Sequence, residues 1–355
     1  MENKRFNMNK KKITVIAASA AVVMVAVCLW VGLRYFADNR MSNFEKEYVL
    51  YVYPETSAEA AMDSLCANAG VRRAGSLSRC AAKENLTDRI RAGRYEISPS
   101  MSAVYVVRML CNGWQSPQKL TLSGTIRSKG KLAAVIGRQM MVDSVTVDSL
   151  LNSDAFLEQF GFNSENVFAL FLPDTYYMYW TATPEEIFSR FRKEYDIFWN
   201  GRRLELAASQ DLTPMEVSTL ASIVNGETLQ QQEYPLIAGV YLNRLHRGMR
   251  LQADPTVAFC FDYELDRILK KHTRVDSPYN TYRYAGLPPA PINVPSKACI
   301  DAVLNPDTHN YLYFCASPDF NGTHRFAASY SEHLRNARAF QRALTARQRA
   351  AAAEQ

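Results

Sequence analysis

Ile13 to Leu33, a run of 21 residues without a charge, constrains this chain more than any other feature. At ~1.5 Å per residue, a helix of that length crosses a hydrocarbon layer about 30 Å thick. Lys4, Arg5, Lys10, Lys11 and Lys12 precede it, while only Arg34 and Arg40 follow closely. Positive charge stays on the cytoplasmic side, so the start of the chain is expected inside and everything after about residue 34 outside. A cleaved signal peptide is the competing reading. The length of the run, and the lack of a small-x-small site before Arg34, favour an uncleaved single-pass anchor. Bulky Val27 before Cys28 argues against lipoprotein processing. The expected order is a cytoplasmic basic segment (1–12), a transmembrane helix (13–33), a linker (34–44) and an exported remainder.

Roughly 320 residues lie beyond the run, too many for one core and suited to two units. The net charge of +6 collects in the N-terminal cluster and in an Ala-rich tail carrying Arg335, Arg338, Arg342, Arg347 and Arg349. No basic stripe with interleaved aromatics exists, so nucleic acid is not an expected partner. Cys66, Cys80, Cys111, Cys260, Cys299 and Cys315 form no C-x-x-C. They fit either disulfides, permitted in an exported domain, or small buried hydrophobes. The five histidines are scattered without H-E-x-x-H, so neither metal nor cofactor is expected. Ser128-x-x-Lys131 matches the first penicillin-binding-protein motif, but no S-D-N or K-T-G completes it.

Short strands among helices point to an α+β fold. Strands are expected at Tyr48–Tyr53, Gly93–Ile97 and Lys119–Leu122. Helices are expected over Ser57–Ala69, over 77–91 and from a Ser102 cap to Leu110 with Gly113 as stop. This small unit has no acid, base or ligand cluster, which leaves binding or positioning. Residues 125–200 read as mainly helical, interrupted by Leu172-Pro173-Asp174-Thr175-Tyr176. The surrounding FALFLPDTYYMYW is read as core, with a carbohydrate-contacting rim as the alternative. Thr183-Pro184-Glu185-Glu186 starts a helix with a cap, a first-turn proline and a capping box.

The chemistry concentrates in Thr213 to Thr256. Thr213-Pro214-Met215-Glu216 repeats the start signal, which explains Glu216 structurally. Val217, Leu220, Ala221 and Val224 then mark an inward side at helical spacing, and Glu227 falls on its flank. A carboxyl there has either a partner or a raised pKa, and a raised pKa suits a general acid. An ordinary last-turn surface residue is the plain alternative. Gly226 suggests close backbone approach or the start of helix termination. A helix from near Pro235 presents Ile237, Val240, Tyr241 and Leu245 inward. An irregular polar stretch follows with Gln252 and Asp254, then Ser277–Tyr282 and a proline-rich run from Gly286 to Pro295 that excludes helix and central strand. Tyr311–Cys315 and Arg325-Phe326 can pair around Asn321-Gly322.

In order along the chain, ASIVNGET, GVYLNRLHRGMRLQADPTV, SPYNTYRYAGLPPAPI and YLYFCASPDFNGTHRF resemble the YceG-like endolytic murein transglycosylases, the MltG family. LFLPDTYYMY is similar to that family's PDTY segment, and the likeness covers about residues 45–345. The resemblance implies an α+β protein with an N-terminal transmembrane helix, a small LysM-like glycan-binding subdomain (45–116) and a mixed α+β YceG-like catalytic domain (117–345). A polar, Ala-rich tail (346–355) would follow. The catalytic second glutamate of the family's ASIVEKE-like motif maps onto Glu227, while the first is Asn225 here. Phe168-Ala169 and Ser123 replace further residues of the usual pattern.

The implied reaction cleaves the β-1,4 bond between N-acetylmuramic acid and N-acetylglucosamine and leaves a 1,6-anhydro end. Gln252, Asn280 and Tyr282 are candidates for orienting the sugar or its acetamido groups, with support of the fold as the alternative for each. Asp254 either caps a turn or faces the groove as a second carboxylate, which would suit a hydrolytic muramidase. An inactive membrane-anchored glycan-binding scaffold is the alternative from another class. Nascent peptidoglycan strands, the cytoplasmic membrane and membrane-bound peptidoglycan synthases are the implied partners. The implied location is the inner (cytoplasmic) membrane, with the N-terminus cytoplasmic and the catalytic domain periplasmic.

Overall fold

The structure, a computed structural model, describes residues 2–353. Met1 and the side chains of Lys4, Arg5, Lys10 and Lys11 in the expected basic segment lie outside the described residues. So do Glu354 and Gln355 of the expected tail. The chain forms two compact units. One runs to Gln118 and includes Tyr177–Thr181; the other comprises Lys119–Tyr176 and the chain from Ala182 onward.

The first unit begins with α1 (Glu2–Asn39), whose Lys12–Asn39 portion is long and apolar enough to cross a membrane. The helix does not stop at Leu33 but takes residues 34–39 of the expected linker. Asp38 explains why: it pairs with Arg79 at 2.7 Å and accepts from the Ser76 hydroxyl, so the end of α1 is held by the folded unit. The rest of the linker is equally ordered. Asn43 is fully buried, its N–H donating to Met101 O at 2.8 Å and its side-chain oxygen accepting from Arg73 N at 3.1 Å.

β1 (Tyr48–Val52) pairs antiparallel with a later strand, and between them lie α2 (Ala58–Leu65), α3 (Ala74–Lys83) and α4 (Leu86–Arg89). One helix was expected over 77–91. Asn85, with φ 54°, splits it, since asparagine tolerates the left-handed region and its amide bonds Asp88 at 2.8 Å. β2 (Gly93–Ile97) matches Tyr48 with Ile97 and Val52 with Gly93. The alternation puts Leu50, Val52, Tyr95 and Ile97 inside, as the period of two requires. α5 (Ala103–Asn112) starts at the Ser102 cap and ends at Gly113, φ 67°, packing Val106, Val107 and Leu110 onto that core. Trp180 is buried in this unit against the edges of Tyr51 and Tyr53.

β3 (Gln118–Thr121) leads onward to α6 (Lys129–Gly137), α7 (Ser144–Leu151) and α8 (Asp154–Leu157), then β4 (Thr175–Met178), which pairs with β3. Ser128 caps α6, and the Lys131 amine donates to Thr125 O at 2.7 Å, so the partial penicillin-binding-protein motif is a helix start. Phe168 to Leu172 and Tyr176 are buried, whereas Tyr179 is exposed. α9 (Pro184–Phe198) carries the full capping box at Thr183, and α10 (Gly201–Ser209) follows.

α11 (Pro214–Glu227), with its own complete capping box at Thr213, is the hub of the second unit. It packs against α12 (Tyr234–His246), α13 (Asp254–Phe259) and α14 (Lys297–Leu304). Every residue from Val217 to Val224 is buried, so α11 has no wet face in that stretch. Its polar members tolerate this because Ser218, Thr219 and Ser222 donate to carbonyls of their own helix at 2.9, 2.9 and 2.7 Å. β5 (Tyr313–Ala316) and β6 (His324–Ala327) form the expected hairpin, and α15 (Tyr330–Ala353) closes the described chain. Helix therefore continues as far as Ala353, within the stretch expected to be a polar, Ala-rich tail. All seven cysteines are free thiols. Burial pushes Cys80 and Cys299 up to about 11, so neither is a thiolate near neutral pH.

Candidate active site

Glu227 is the last residue of α11, after which the backbone turns extended at Thr228. Gly226 lets this end of the helix meet the start of α13: a Cβ on it would lie 2.7 Å from Pro255 Cβ. The Glu227 carboxyl is surrounded by protein, while the residue as a whole is half-buried and lines a cleft. Tyr241, buried on α12, donates its hydroxyl to Glu227 Oε1 at 2.5 Å. Burial raises the carboxyl to about 7; the Tyr241 bond opposes that, the Asp254 charge adds to it and the Arg244 charge opposes it. The Tyr241 hydroxyl, pushed well above 10 first by burial and then by Glu227, remains a donor across the working range.

Asp254 is exposed at the start of α13 and accepts from the Tyr282 hydroxyl at 2.6 Å. Burial is also the main cause of the raised Tyr282 pKa, with Asp254 next. The Asp254 charge thus raises both the Glu227 carboxyl and the Tyr282 hydroxyl, and the Glu227 charge raises both tyrosines. Gln252 is exposed two residues before Asp254 with φ 52°, a left-handed conformation uncommon outside glycine and asparagine; its N–H donates to Thr281 O at 3.1 Å. Asn280 lies two residues before Tyr282 and is bonded to it. It is fully buried, its amide donates to Thr273 O and Val275 O at 3.1 and 2.7 Å, and its carbonyl accepts from Tyr282 N at 3.0 Å. With every polar atom engaged, it holds the loop that presents Tyr282.

A cleft of about 580 Å³ opens beside Glu227, with Arg127, Gln230, Ser317, His324 and Arg347 among its lining residues. That volume suits a sugar-sized ligand. Gln252, Asp254 and Tyr282 are not part of its lining, although the charges of Asp254 and Glu227 both act on Tyr282. Asn225 lines the cleft among neutral partners: its amide donates to Asn293 Oδ1 at 3.3 Å, and the Cys299 thiol donates to its oxygen at 3.5 Å. Among the described residues, no group of three or more His, Cys, Asp or Glu could hold a metal ion.

Three features of the site were not anticipated. Tyr241 fitted the inward pattern of α12 and was read as core only. Glu233, for which no role was expected, is buried and accepts from His324 N at 2.7 Å, His324 Nδ1 at 2.8 Å and the Thr228 hydroxyl at 3.3 Å. It therefore fastens the residue after Glu227 to the hairpin. Arg244 is buried with its guanidinium on Leu312 O at 2.6 Å, Leu251 O at 2.7 Å and Arg250 O at 3.3 Å. Beside it, Asn243 donates to His309 O and Tyr311 O at 2.9 and 3.1 Å. The GVYLNRL motif is thus a clamp on the loops around Glu227.

An endolytic murein transglycosylase of Bacillus subtilis is 41% identical over 115 residues, 32% of this chain and 31% of that protein. Another of Streptococcus pneumoniae is 25% identical over 362 aligned positions, 92% of this chain and 64% of the relative. The chain spans less than two thirds of the length of these curated relatives. The crystal structure of a YceG-like protein from Listeria monocytogenes matches with a TM-score of 0.52 at 25% identity, covering 82% of this chain and 99% of that one. The model of the YceG-like family matches residues 50–339, and on this span the chain belongs to that family.

Proposed function

We propose that this chain is an endolytic murein transglycosylase with Glu227 as its acid and base. The observation that carries the reading is a carboxyl raised to about 7 at the wall of a sugar-sized cleft. At neutral pH such a group is present in both forms, as a residue that first gives and then takes a proton must be. Protonated Glu227 donates to the glycosidic oxygen leaving C1 of the N-acetylmuramic acid. The resulting carboxylate takes the proton of the 6-hydroxyl of the same sugar, whose oxygen attacks C1. One C–O bond breaks, one forms, water is not consumed and a 1,6-anhydro end results. Because the nucleophile belongs to the ring that reacts, its attack is intramolecular and needs no second catalytic carboxylate. The Tyr241 hydroxyl holds Oε1, fixing the carboxyl and favouring its charged form after the proton has left.

Gln252, Asp254 and Tyr282 orient the sugar or its substituents in this reading. The first unit serves as a LysM-like glycan-binding subdomain, and α1 is a single-pass anchor in the cytoplasmic membrane with both units on its outer face. Nascent strands and the membrane-bound synthases that make them are then the natural neighbours.

The test is incubation of the full chain and its Glu227→Gln variant with un-crosslinked peptidoglycan glycan, followed by mass spectrometry of new chain ends. Anhydro ends from the wild type alone support the proposal. Reducing ends would replace it with a muramidase that uses Asp254, and bound but uncut glycan would replace it with a scaffold.

A further inference from the structure

The family match ends at residue 339, whereas α15 continues to Ala353. Two side chains beyond that limit, Phe340 and Arg347, line the cleft beside Glu227. Phe320, near the tip of the β5–β6 hairpin with φ 53°, receives both: its ring is 5.8 Å from that of Phe340, and the Arg347 guanidinium lies 4.9 Å over it. Arg127 lines the same cleft with its guanidinium 5.1 Å over the Tyr263 ring. Among the described residues, neither arginine has a carboxylate within ion-pair distance. A guanidinium resting on a ring is held in orientation while its N–H edge stays free for a planar anion.

The N-acetylated sugar backbone of peptidoglycan carries no charge of its own. Its anions are carboxylates on the 3-O-lactyl substituent of muramic acid: those of the peptide stem where present, or the lactyl carboxylate where the stem has been removed. We propose that Arg347 and Arg127 form an anion subsite for that carboxylate, so that an extension lying outside the family match helps select the substrate. This inference rests on the glycan reading above and adds a charged feature to it. Arg347 belongs to binding here, and the chemistry remains with Glu227.

The test measures binding to full chain carrying Glu227→Gln, using stem-bearing glycan, stem-stripped glycan, and each after conversion of its carboxylates to primary amides. At low salt at least one carboxylate glycan is expected to bind about fivefold more tightly than its amidated form. That gap closes when Arg347→Ala is added and survives Arg342→Ala, an exposed arginine of the same helix that does not line the cleft. A gap confined to stem-bearing glycan identifies the stem carboxylate; one confined to stripped glycan identifies the lactyl group. Equal binding of free and amidated forms overturns the inference, as does a gap untouched by both Arg347→Ala and Arg127→Ala. Wild-type anhydro ends together with equal binding would remove this subsite and leave the proposed activity standing. A gap without any new ends from the wild type would do the reverse.

Discussion

Gly226 and Pro255 meet with no room for a methyl group between them: an added Cβ would lie 2.7 Å from Pro255 Cβ and 2.8 Å from its Cγ. The contact locks the last turn of α11, and with it Glu227, against the start of α13, where Asp254 stands. Gly226→Ala must push the two helix ends apart. The expected result is a loss of about 1–3 kcal/mol in denaturant unfolding and a fall in glycan cleavage on the order of 10²-fold. Gly201→Ala, where an added Cβ meets nothing within 4 Å, should change neither.

The pH profile of cleavage follows from the carboxyl. With Glu227 near 7, the fraction able to donate a proton falls as pH rises through that value, so the rate should decline on the alkaline side. Tyr241→Phe removes a bond that favours the ionised form. Its alkaline limb should therefore move to higher pH. Initial rates across the neutral range decide this, and a limb that stays in place would remove Tyr241 from control of the site.

Stability carries the same signature. The Glu227 carboxyl is raised from 4.5 to about 7, so the folded protein holds this proton more tightly than the unfolded chain does. The associated stability is fully present below about 4.5 and is lost as pH rises through about 7. Glu227→Gln, which never ionises, should unfold at a higher temperature than wild type at pH ~8, by an amount worth roughly 3 kcal/mol, and at the same temperature near pH ~4. Thermal unfolding at both pH values is the measurement. A variant less stable than wild type at the higher pH would show that the charged form is the better accommodated one.

Arg244 should be hard to replace. Its guanidinium serves three carbonyls at 2.6, 2.7 and 3.3 Å. Arg244→Met strands them in a buried setting, with an expected loss of about 3 kcal/mol or more. Arg244→Lys keeps the charge but not the fork, and should recover only part of that loss. Chemical denaturation of both variants checks the order.

Sequence patterns were clearest where the physics is local. Both capping boxes need only four consecutive residues, and both formed at Thr183 and Thr213. The β1 and β2 strands were legible as short segments between helices, and Glu227 stood out as a carboxyl on the flank of an apolar helix side. The partners that define its surroundings are remote. Tyr241 is 14 positions away, Arg244 reaches 68 positions to Leu312, and Glu233 reaches 91 to His324. α14 was missed because its eight residues follow a proline-rich run, with only the Ser296 cap to announce it. Asn280 shows the same limit: an amide in a polar loop reads as sugar contact or as support until the fold supplies carbonyls for its donors.

The ordered passage from α1 into the first unit has a mechanical consequence. Asp38, joined to Arg79 and Ser76, leaves no swivel between the apolar helix and the folded body above it. Where α1 crosses a bilayer, the six helical residues after Leu33 set a standoff of ~9 Å. The first unit would then ride on its anchor like a flange on a shaft, turning and drifting only as the helix does. Its motion becomes a two-dimensional patrol at fixed height.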